Sequence, residues 1–482
     1  MAEPKAEKEK QMGVTAKKAA DFSEWYNQVV LHAGLADYSA VKGFMVIRPL
    51  GYAVWEKIQS YLDARFKELG HQNAYFPALV PESFLKKESQ HLAGFSPEVF
   101  WIQGDEKTEE RLALRPTSET IIYDSYSKWV RSWRDLPLLI NCWNSVFRSE
   151  IKMTKLFLRT REFLWQEGHT AHATKEEADE EVLRMLRVYV EFVESQLAIP
   201  VLHGYKTDAE KFAGALYTTS MESLMPDGKM TQMGTSHQLG QNFSRAFHIT
   251  FLDKQKEQQF AWQTSWGVST RLIGAMVMTH SDDKGLVLPP LVAPLHVVIV
   301  PIVFDDSKEK VLKAAKELQK KLNDFTIRLD DRDGYSAGWK FNEWELKGVP
   351  IRLELGPKDL QKKQVVMVSR DNGAKKAIKW SALSKAIRKE LDDMQKRLFN
   401  KAKKFLEGNI VKCKSWGEFQ QAIESKKIAF AFHCGDASCE KEIKEKTTAT
   451  ARCIPFDQPK TGGLCIHCGN SAKRMAYFSK SY

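Results

Sequence analysis

Apolar residues recur at helical spacing at Phe22, Trp25, Tyr26 and Val29, which predicts a helix over Asp21–Ala33. A second helix follows Pro49, with Trp55, Ile58, Leu62, Phe66 and Leu69 on one face and Gly70 as its stop. Asn73–Val80 then has strand character with Pro77 inside it. Proline cannot donate to a ladder, so this strand belongs at an edge, a bulge or a subunit boundary, or it is a plain loop–strand junction. Two further strands, Ser145–Glu150 and Arg161–Gln166, flank a loop carrying Lys152, Lys155 and Arg159. A long helix is expected over Thr174–Pro200, opened by a Thr174…Glu177 capping box. Pro226–Ser244 is rich in Gly, Ser, Thr and Gln, too polar for a core strand and too regular for a linker. Gln263–His280 reads as a small-residue strand feeding a helix that buries Leu272, Ile273, Met276 and Val277.

After the proline-rich junction Pro289–Pro294 the pattern changes to alternating strands and helices. Strands are expected at Leu295–Val303, Thr326–Leu329, Pro350–Leu355 and Gln364–Ser369, and helices at Ser307–Asn323 and Ser381–Glu407. That order predicts a mixed sheet with covering helices. Four segments follow: a Lys/Glu-rich disordered tail over 1–20, an α+β domain on an antiparallel sheet over 21–290, an α/β domain over 291–400 and a small α+β domain over 401–482.

Composition narrows the class. With 482 residues, 43% hydrophobic and 28% charged, the chain has the make-up of a soluble globular protein. No stretch approaches the roughly 18 apolar residues of a membrane span, and the first twenty residues lack the apolar core of a secretory signal. A net charge of +11 favours an acidic partner, for which nucleic acid is the usual candidate. Of the seven cysteines, Cys434-x4-Cys439 and Cys465-x2-Cys468 form two short pairs. Four such thiolates fit a tetrahedral, structural zinc site in a reducing compartment, with Cys453 and His467 as alternative ligands.

Candidate chemistry gathers on the charged residues near the two middle strands. Arg148 is suited to clamp a phosphate or carboxylate, and Phe163 offers a face to a base. An ordinary charged hairpin is the competing reading. Thr117, Ser118 and Glu119 either cap the helix beginning at Thr120 or point into a site where Glu119 meets a cation. His237 lies among small polar residues that suit ligand binding. Arg271 opens an apolar helix and needs a partner, either a nearby carboxylate or a substrate's phosphate or base.

Taken in order, GHQNAYFPALVP, FRSE…REFLWQEGH and WGVSTRLIGAM resemble the three motifs of class II aminoacyl-tRNA synthetases, and PTSET and GTSHQLGQNFS resemble the prolyl branch. The resemblance implies activation of L-proline with ATP and transfer to the 3′ end of tRNA(Pro). It implies Arg148, Glu150, Arg159, Phe163, Gln232, Thr235 and Arg271 around ATP, with Arg148 and Arg271 as catalytic residues, and magnesium with the nucleotide. It implies Thr117, Glu119, Arg148, Trp165, Glu167, His169 and His237 around proline. GWKFNEWELKGVPIRLELGPKDL resembles the family's anticodon-binding domain. It implies Glu345, Arg352 and Lys358 as readers of anticodon guanines, with salt bridging inside the sheet as the competing role. The C-terminal region resembles that of archaeal/eukaryote-type members, which supports the zinc ligands Cys434, Cys439, Cys465 and Cys468 and a terminal aromatic returning towards the catalytic domain. Only Gly168 to Gln263 separates the second and third motifs, too little for the editing insertion of bacterial-type members, so no proofreading of alanine is expected. A homodimer and a cytoplasmic location are further expectations. A catalytically inactive, tRNA-binding accessory protein is the alternative reading.

Overall fold

The first predicted helix runs Phe22–His32, and Asp21 caps it by accepting the Glu24 N–H at 3.0 Å. The structure, a computed structural model, describes residues 13–91, 98–103 and 110–482. The chain divides into two compact units: one contains the chain up to Asp37, Ile47–Val54 and Met276–Leu398, and the other Tyr38–Val46, Trp55–Ala275 and Phe399–Tyr482.

In the first unit a five-stranded sheet has the order Ile327–Leu329, Val297–Pro301, Ile351–Leu355, Gln364–Ser369, Lys375–Lys379. The first three strands are parallel and Gln364–Ser369 runs antiparallel to both its neighbours, so the sheet is mixed, as the alternating pattern predicted. Val297, Ile299, Ile351 and Leu353 pack against Val311 and Leu318 of helix Lys308–Lys321 and Ile387 of helix Leu383–Gly408. The short helix Pro357–Gln361 and two other elements escaped the sequence pattern. Helix Ala337–Leu346 buries only Lys340, Trp344 and Leu346, so no apolar stripe marks it. Strand Lys375–Lys379 is a lysine-rich exposed edge, a composition that blunts further strand pairing. The expected disordered tail is corrected in its second half. The Lys18 backbone N–H donates to Asp283 Oδ1 at 2.8 Å, and Lys18 Nζ donates to the carbonyls of Met278 and Ser281, both at 2.8 Å. Residues 1–12 lie outside the described residues.

The second unit is built on an eleven-stranded sheet. Its middle strands, Leu202–Tyr205, Tyr217–Leu224, Lys229–Gly240, Trp262–Ser269, Glu162–His172 and Leu138–Phe147, are antiparallel neighbours in that order. Gln72–Asn73 forms one edge, and Pro77 lies outside both strands, between it and the short strand Leu79–Pro81. The pair expected at Ser145–Glu150 and Arg161–Gln166 is longer and displaced, so Arg148 and Glu150 lie just beyond a strand end. Helix Lys175–Ser195 begins with the expected Thr174–Glu177 capping box.

Pro226–Ser244, set aside as too polar for a core strand, contains the central strand Lys229–Gly240. Two of its polar side chains have partners: Gln238 Nε2 donates to Asp179 Oδ1 at 2.9 Å, and His237 Nδ1 lies 2.9 Å from Thr218 Oγ1, whereas Thr231 Oγ1 and Ser236 Oγ are buried with no hydrogen-bond partner among the described residues. The C-terminal region does not stand apart from this sheet. Thr450–Pro455 pairs with Leu202–Tyr205, and the backbones approach so closely that a Cβ on Gly204 would lie 2.0 Å from the Ile454 oxygen. Lys206, Glu222 and Arg452 form a buried ion network across that seam. The last strand, Arg474–Ser481, runs parallel to the start of Lys229–Gly240, and the Tyr482 hydroxyl donates to Asp227 Oδ2 at 2.7 Å. The terminal aromatic thus returns to the large sheet, as expected. Among the described residues no helix is long and apolar enough to cross a membrane.

Candidate active site

One cavity of about 310 Å³ opens over the middle strands of the large sheet. Glu119 enters it from the first turn of helix Glu119–Trp129. Ser118 is that helix's N-cap but makes no side-chain capping bond, so the Thr/Ser/Glu cluster is only partly a cap. The Thr117 hydroxyl donates to Glu119, aligning the carboxylate with the cavity. Burial pushes the Glu119 carboxyl above its usual range, with the nearby His169 charge opposing.

Beside it the strands supply a hydrogen-bonded chain. Trp165 Nε1 donates to Asn144 Oδ1 at 2.5 Å, Asn144 Nδ2 donates to Glu167 Oε1 at 2.8 Å, and Glu167 Oε2 lies 3.1 Å from His169 Nε2. Tyr123 OH closes the chain 3.1 Å from His169 Nδ1. Burial works against ionising Glu167, but hydrogen bonds from His169 and Asn144 outweigh it and hold the carboxyl low. Burial likewise disfavours charge on His169, yet the Glu167 bond raises its pKa. His237, packed on Phe212 with ring centroids 4.8 Å apart, is pushed down to about 3 by burial, then by His169, and is a neutral wall of the cavity.

The two arginines have a different setting. The Arg148 guanidinium stands 5.4 Å from the Phe163 ring centroid, and its Nε donates to the Pro116 carbonyl at 3.4 Å. Arg271 donates to the carbonyls of Leu158 and Gln232 at 3.2 and 3.3 Å. Burial pushes Arg271 down to about 10, with Arg148 and Arg159 adding repulsion. Arg148 is also lowered by burial, although Glu150, Glu119 and Glu167 draw it back. Neither arginine forms an ion pair among the described residues. Their guanidinium hydrogen bonds among the described residues go to carbonyl oxygens, with carboxylate charges acting only from beyond ion-pair distance, a condition that a bound anion relieves.

Of the residues singled out in the sequence, Thr117, Glu119, Arg148, Phe163, Trp165, Glu167, His169, Gln232, Thr235, His237 and Arg271 line this cavity. Glu150 and Arg159 do not; they stand near enough for their charges to reach Arg148 and Arg271. Sequence reasoning missed Phe212, Thr218 and Ser265, which also line it. Ser265 Oγ is buried without a hydrogen-bond partner among the described residues. It lies on the strand already noted for small residues, and that was its only sequence signal.

The cysteine pairs converge as expected. Cys439 and Cys465 sulfurs are 3.7 Å apart, as are those of Cys434 and Cys468. Zinc–sulfur bonds of about 2.3 Å place tetrahedral ligand sulfurs about 3.8 Å apart, so these spacings suit that ion. His433 joins Cys434, Cys439 and Cys465 in a group whose ligand atoms lie within 4.8 Å of one another, and His467 Nδ1 is 3.5 Å from the Cys439 sulfur. Cys453 is buried apart from this group, where burial and the Glu222 charge push its thiol up and Lys206 and Arg452 oppose them. In the first unit, Arg352 is bonded twice to Glu354 Oε1, at 2.9 and 3.1 Å, and Glu345 accepts from Lys284 Nζ at 3.0 Å. Lys358 is exposed in the short helix Pro357–Gln361.

The chain matches the family model of the tRNA synthetase class II core domain (G, H, P, S and T) over residues 100–280, that of the anticodon binding domain over 296–390, and that of the prolyl-tRNA synthetase C-terminal domain over 416–482. It is 52% identical over 471 residues to the proline–tRNA ligase of Natranaerobius thermophilus, covering 96% of this chain and 97% of that one. It is 51% identical over 476 residues to the proline–tRNA ligase of Cenarchaeum symbiosum, covering 98% and 100%.

Proposed function

The chain belongs to the proline–tRNA ligase family of class II synthetases, and on that premise we propose how its residues divide the work of joining proline to tRNA with ATP. The observation that carries the reading is the graded charge of the cavity. Glu119 and the Glu167–His169 pair lie beside Arg148, and Arg271 lies beyond it with no ion pair among the described residues, drawn only by the more distant Glu222 charge. An amino acid and a nucleotide meeting there put an amine near the acids and a carboxylate and phosphates near the guanidiniums.

Thr117 and Glu119 receive the imino nitrogen of L-proline. Trp165, Glu167, His169 and His237 bound its ring. Arg148 holds the proline carboxylate against the α-phosphate, lowering the cost of bringing two anions together. Phe163 and Arg271 take the adenine between them, Glu150 accepts from its amino group, Gln232 and Thr235 border the nucleotide, and Arg159 reaches the outer phosphates. The proline carboxylate oxygen attacks the α-phosphorus and pyrophosphate leaves; the terminal ribose hydroxyl of tRNA(Pro) then attacks the prolyl carbonyl and releases AMP. With magnesium bound to the nucleotide, the ion would supply charge neutralisation at the phosphates. Cys434, Cys439, Cys465 and Cys468 would hold a structural zinc ion, a four-sulfur shell leaving no open position. Glu345, Arg352 and Lys358 read the anticodon guanines, Arg352 exchanging Glu354 for a base edge. The working form is a cytoplasmic homodimer without an alanine-editing site; rapid hydrolysis of alanyl-tRNA by the chain would contradict the last point.

Amino-acid-dependent ATP–pyrophosphate exchange tests the reading, with proline compared against alanine, threonine and glycine. The expected result is exchange strongest with proline and lost in Arg148→Ala. Exchange with another amino acid overturns the specificity, and none with any favours the inactive, tRNA-binding alternative.

A further inference from the structure

The first unit holds a cavity of about 200 Å³ to which the roles above assign nothing. It lies where strands Val297–Pro301 and Ile327–Leu329 end. The chain leaves Val297–Pro301 to build Ile327–Leu329 on one side of it and then crosses to build Ile351–Leu355 on the other. In open α/β sheets such a reversal leaves a crevice at the carboxyl ends of the strands, and ligands bind there.

The crevice is furnished in a particular way. Gly334, at φ +82°, turns the chain after Asp333 and delivers Tyr335 onto Trp339, with ring centroids 4.1 Å apart and planes 26° from parallel. Tyr335 remains 47% exposed. The Arg332 guanidinium stands 5.1 Å from the Tyr335 ring and 5.5 Å from Trp339. It is locked there by two 2.8 Å bonds to Asp330 and a further bond to Glu343.

The charges nearby are already matched. Lys308 pairs with Asp333 at 2.8 Å, and Lys340 Nζ donates to the Asp330 carbonyl at 3.1 Å. A phosphate would find no unpaired cation in this wall. The surface instead offers an open aromatic ring and the exposed Asp331 carboxylate, which makes no hydrogen bond or ion pair among the described residues. An unpaired nucleobase answers both features: it has a π face to stack and, in adenine, guanine and cytosine, an amino group to donate. A base inside a duplex has both faces covered and its pairing edge occupied.

We propose that this crevice takes one unpaired nucleobase of the bound tRNA's anticodon loop, stacked on Tyr335 and donating an amino hydrogen to Asp331. It rests on the tRNA-charging function above and adds to it a stacking site separate from Glu345, Arg352 and Lys358. Stacking serves any base, so this contact contributes affinity that tolerates sequence change.

The test uses the full-length chain and tRNA(Pro) transcripts in which each anticodon-loop nucleotide in turn is made abasic. Tyr335→Ala is expected to weaken binding of intact tRNA about tenfold, the scale of one lost base–aromatic stack. Tyr335→Phe should bind as wild type, and both variants should keep wild-type ATP–pyrophosphate exchange with proline. The Tyr335→Ala loss should vanish for a transcript abasic at a single loop position. Asp331→Ala should weaken binding about threefold when that position carries an amino group and not when it carries uracil. Equal binding by Tyr335→Ala and wild type, or an undiminished loss with every abasic transcript, overturns the inference and leaves the charging function standing. A wild-type chain that neither exchanges nor binds tRNA overturns both.

Discussion

The arginines of the catalytic cavity and those of the first unit are the same side chain in opposite circumstances. Arg148 and Arg271 are half-buried, and the hydrogen bonds of their guanidiniums among the described residues go to carbonyl oxygens. In the first unit Arg352 is matched to Glu354, Arg332 to Asp330 and Glu343, Arg370 to Asp282, and Arg397 to Asp371 and Glu390. A buried guanidinium without a carboxylate costs stability in the ligand-free protein, and a bound anion repays it. A guanidinium already paired serves the fold first and can bind only by trading partners. The contrast separates residues kept for a ligand from residues kept for the structure.

The largest expected effect breaks that contrast directly. Arg271→Met should lower proline-dependent exchange by about 10²- to 10³-fold, as expected for a lost charge-stabilising donor. It should leave the melting temperature of the ligand-free chain unchanged or raised, because an uncompensated buried charge has gone. Arg397→Met, by comparison, strands Asp371 and should lower the melting temperature. Next in size is the cysteine cluster. Purified chain should carry one zinc per chain by elemental analysis, and Cys439→Ser should lose it and melt earlier, since metal binding contributes to folding. Arg352→Ala follows. It should weaken tRNA(Pro) binding about 5- to 150-fold, the scale of one bidentate base contact, with exchange unchanged.

The smallest effect is on pH dependence. Burial is the main cause that lowers both His172, to about 4, and His237, to about 3. The unfolded chain therefore takes up these protons first. Their contribution to stability is present above about pH 6.5 and declines as pH falls towards those values, by at most about 1.4 kcal/mol per pH unit for each. Urea melts of wild type and His237→Asn between pH 7 and 5 should show a flatter decline in the variant.

Much of the site was legible because charge and strand period coincide. Arg148, Phe163, Trp165 and Glu167 sit on or beside two strands adjacent in sequence, and Glu119 opens a helix after a proline turn. Phe212, Thr218 and Ser265 carry no charge signal and reach the cavity only through sheet pairing over long separations. Lys229–Gly240 misled the pattern because it is polar on both faces: Gln232, Thr235 and His237 line the cavity, while Thr231, Ser236 and Gln238 are buried without lining it. A sequence scored for apolar alternation has no means of distinguishing that from a loop. The joining of the C-terminal region to the catalytic sheet was equally hidden, since it depends on Gly204 admitting the backbone of Ile454.

The central claim is that the cavity's acidic side receives proline while its guanidiniums receive the nucleotide. Glu119→Gln, assayed by pyrophosphate exchange with proline and ATP varied separately, tests it most directly. The account predicts a proline KM raised about tenfold or more with the KM for ATP unchanged. An unchanged proline KM, or a rise confined to ATP, would contradict it.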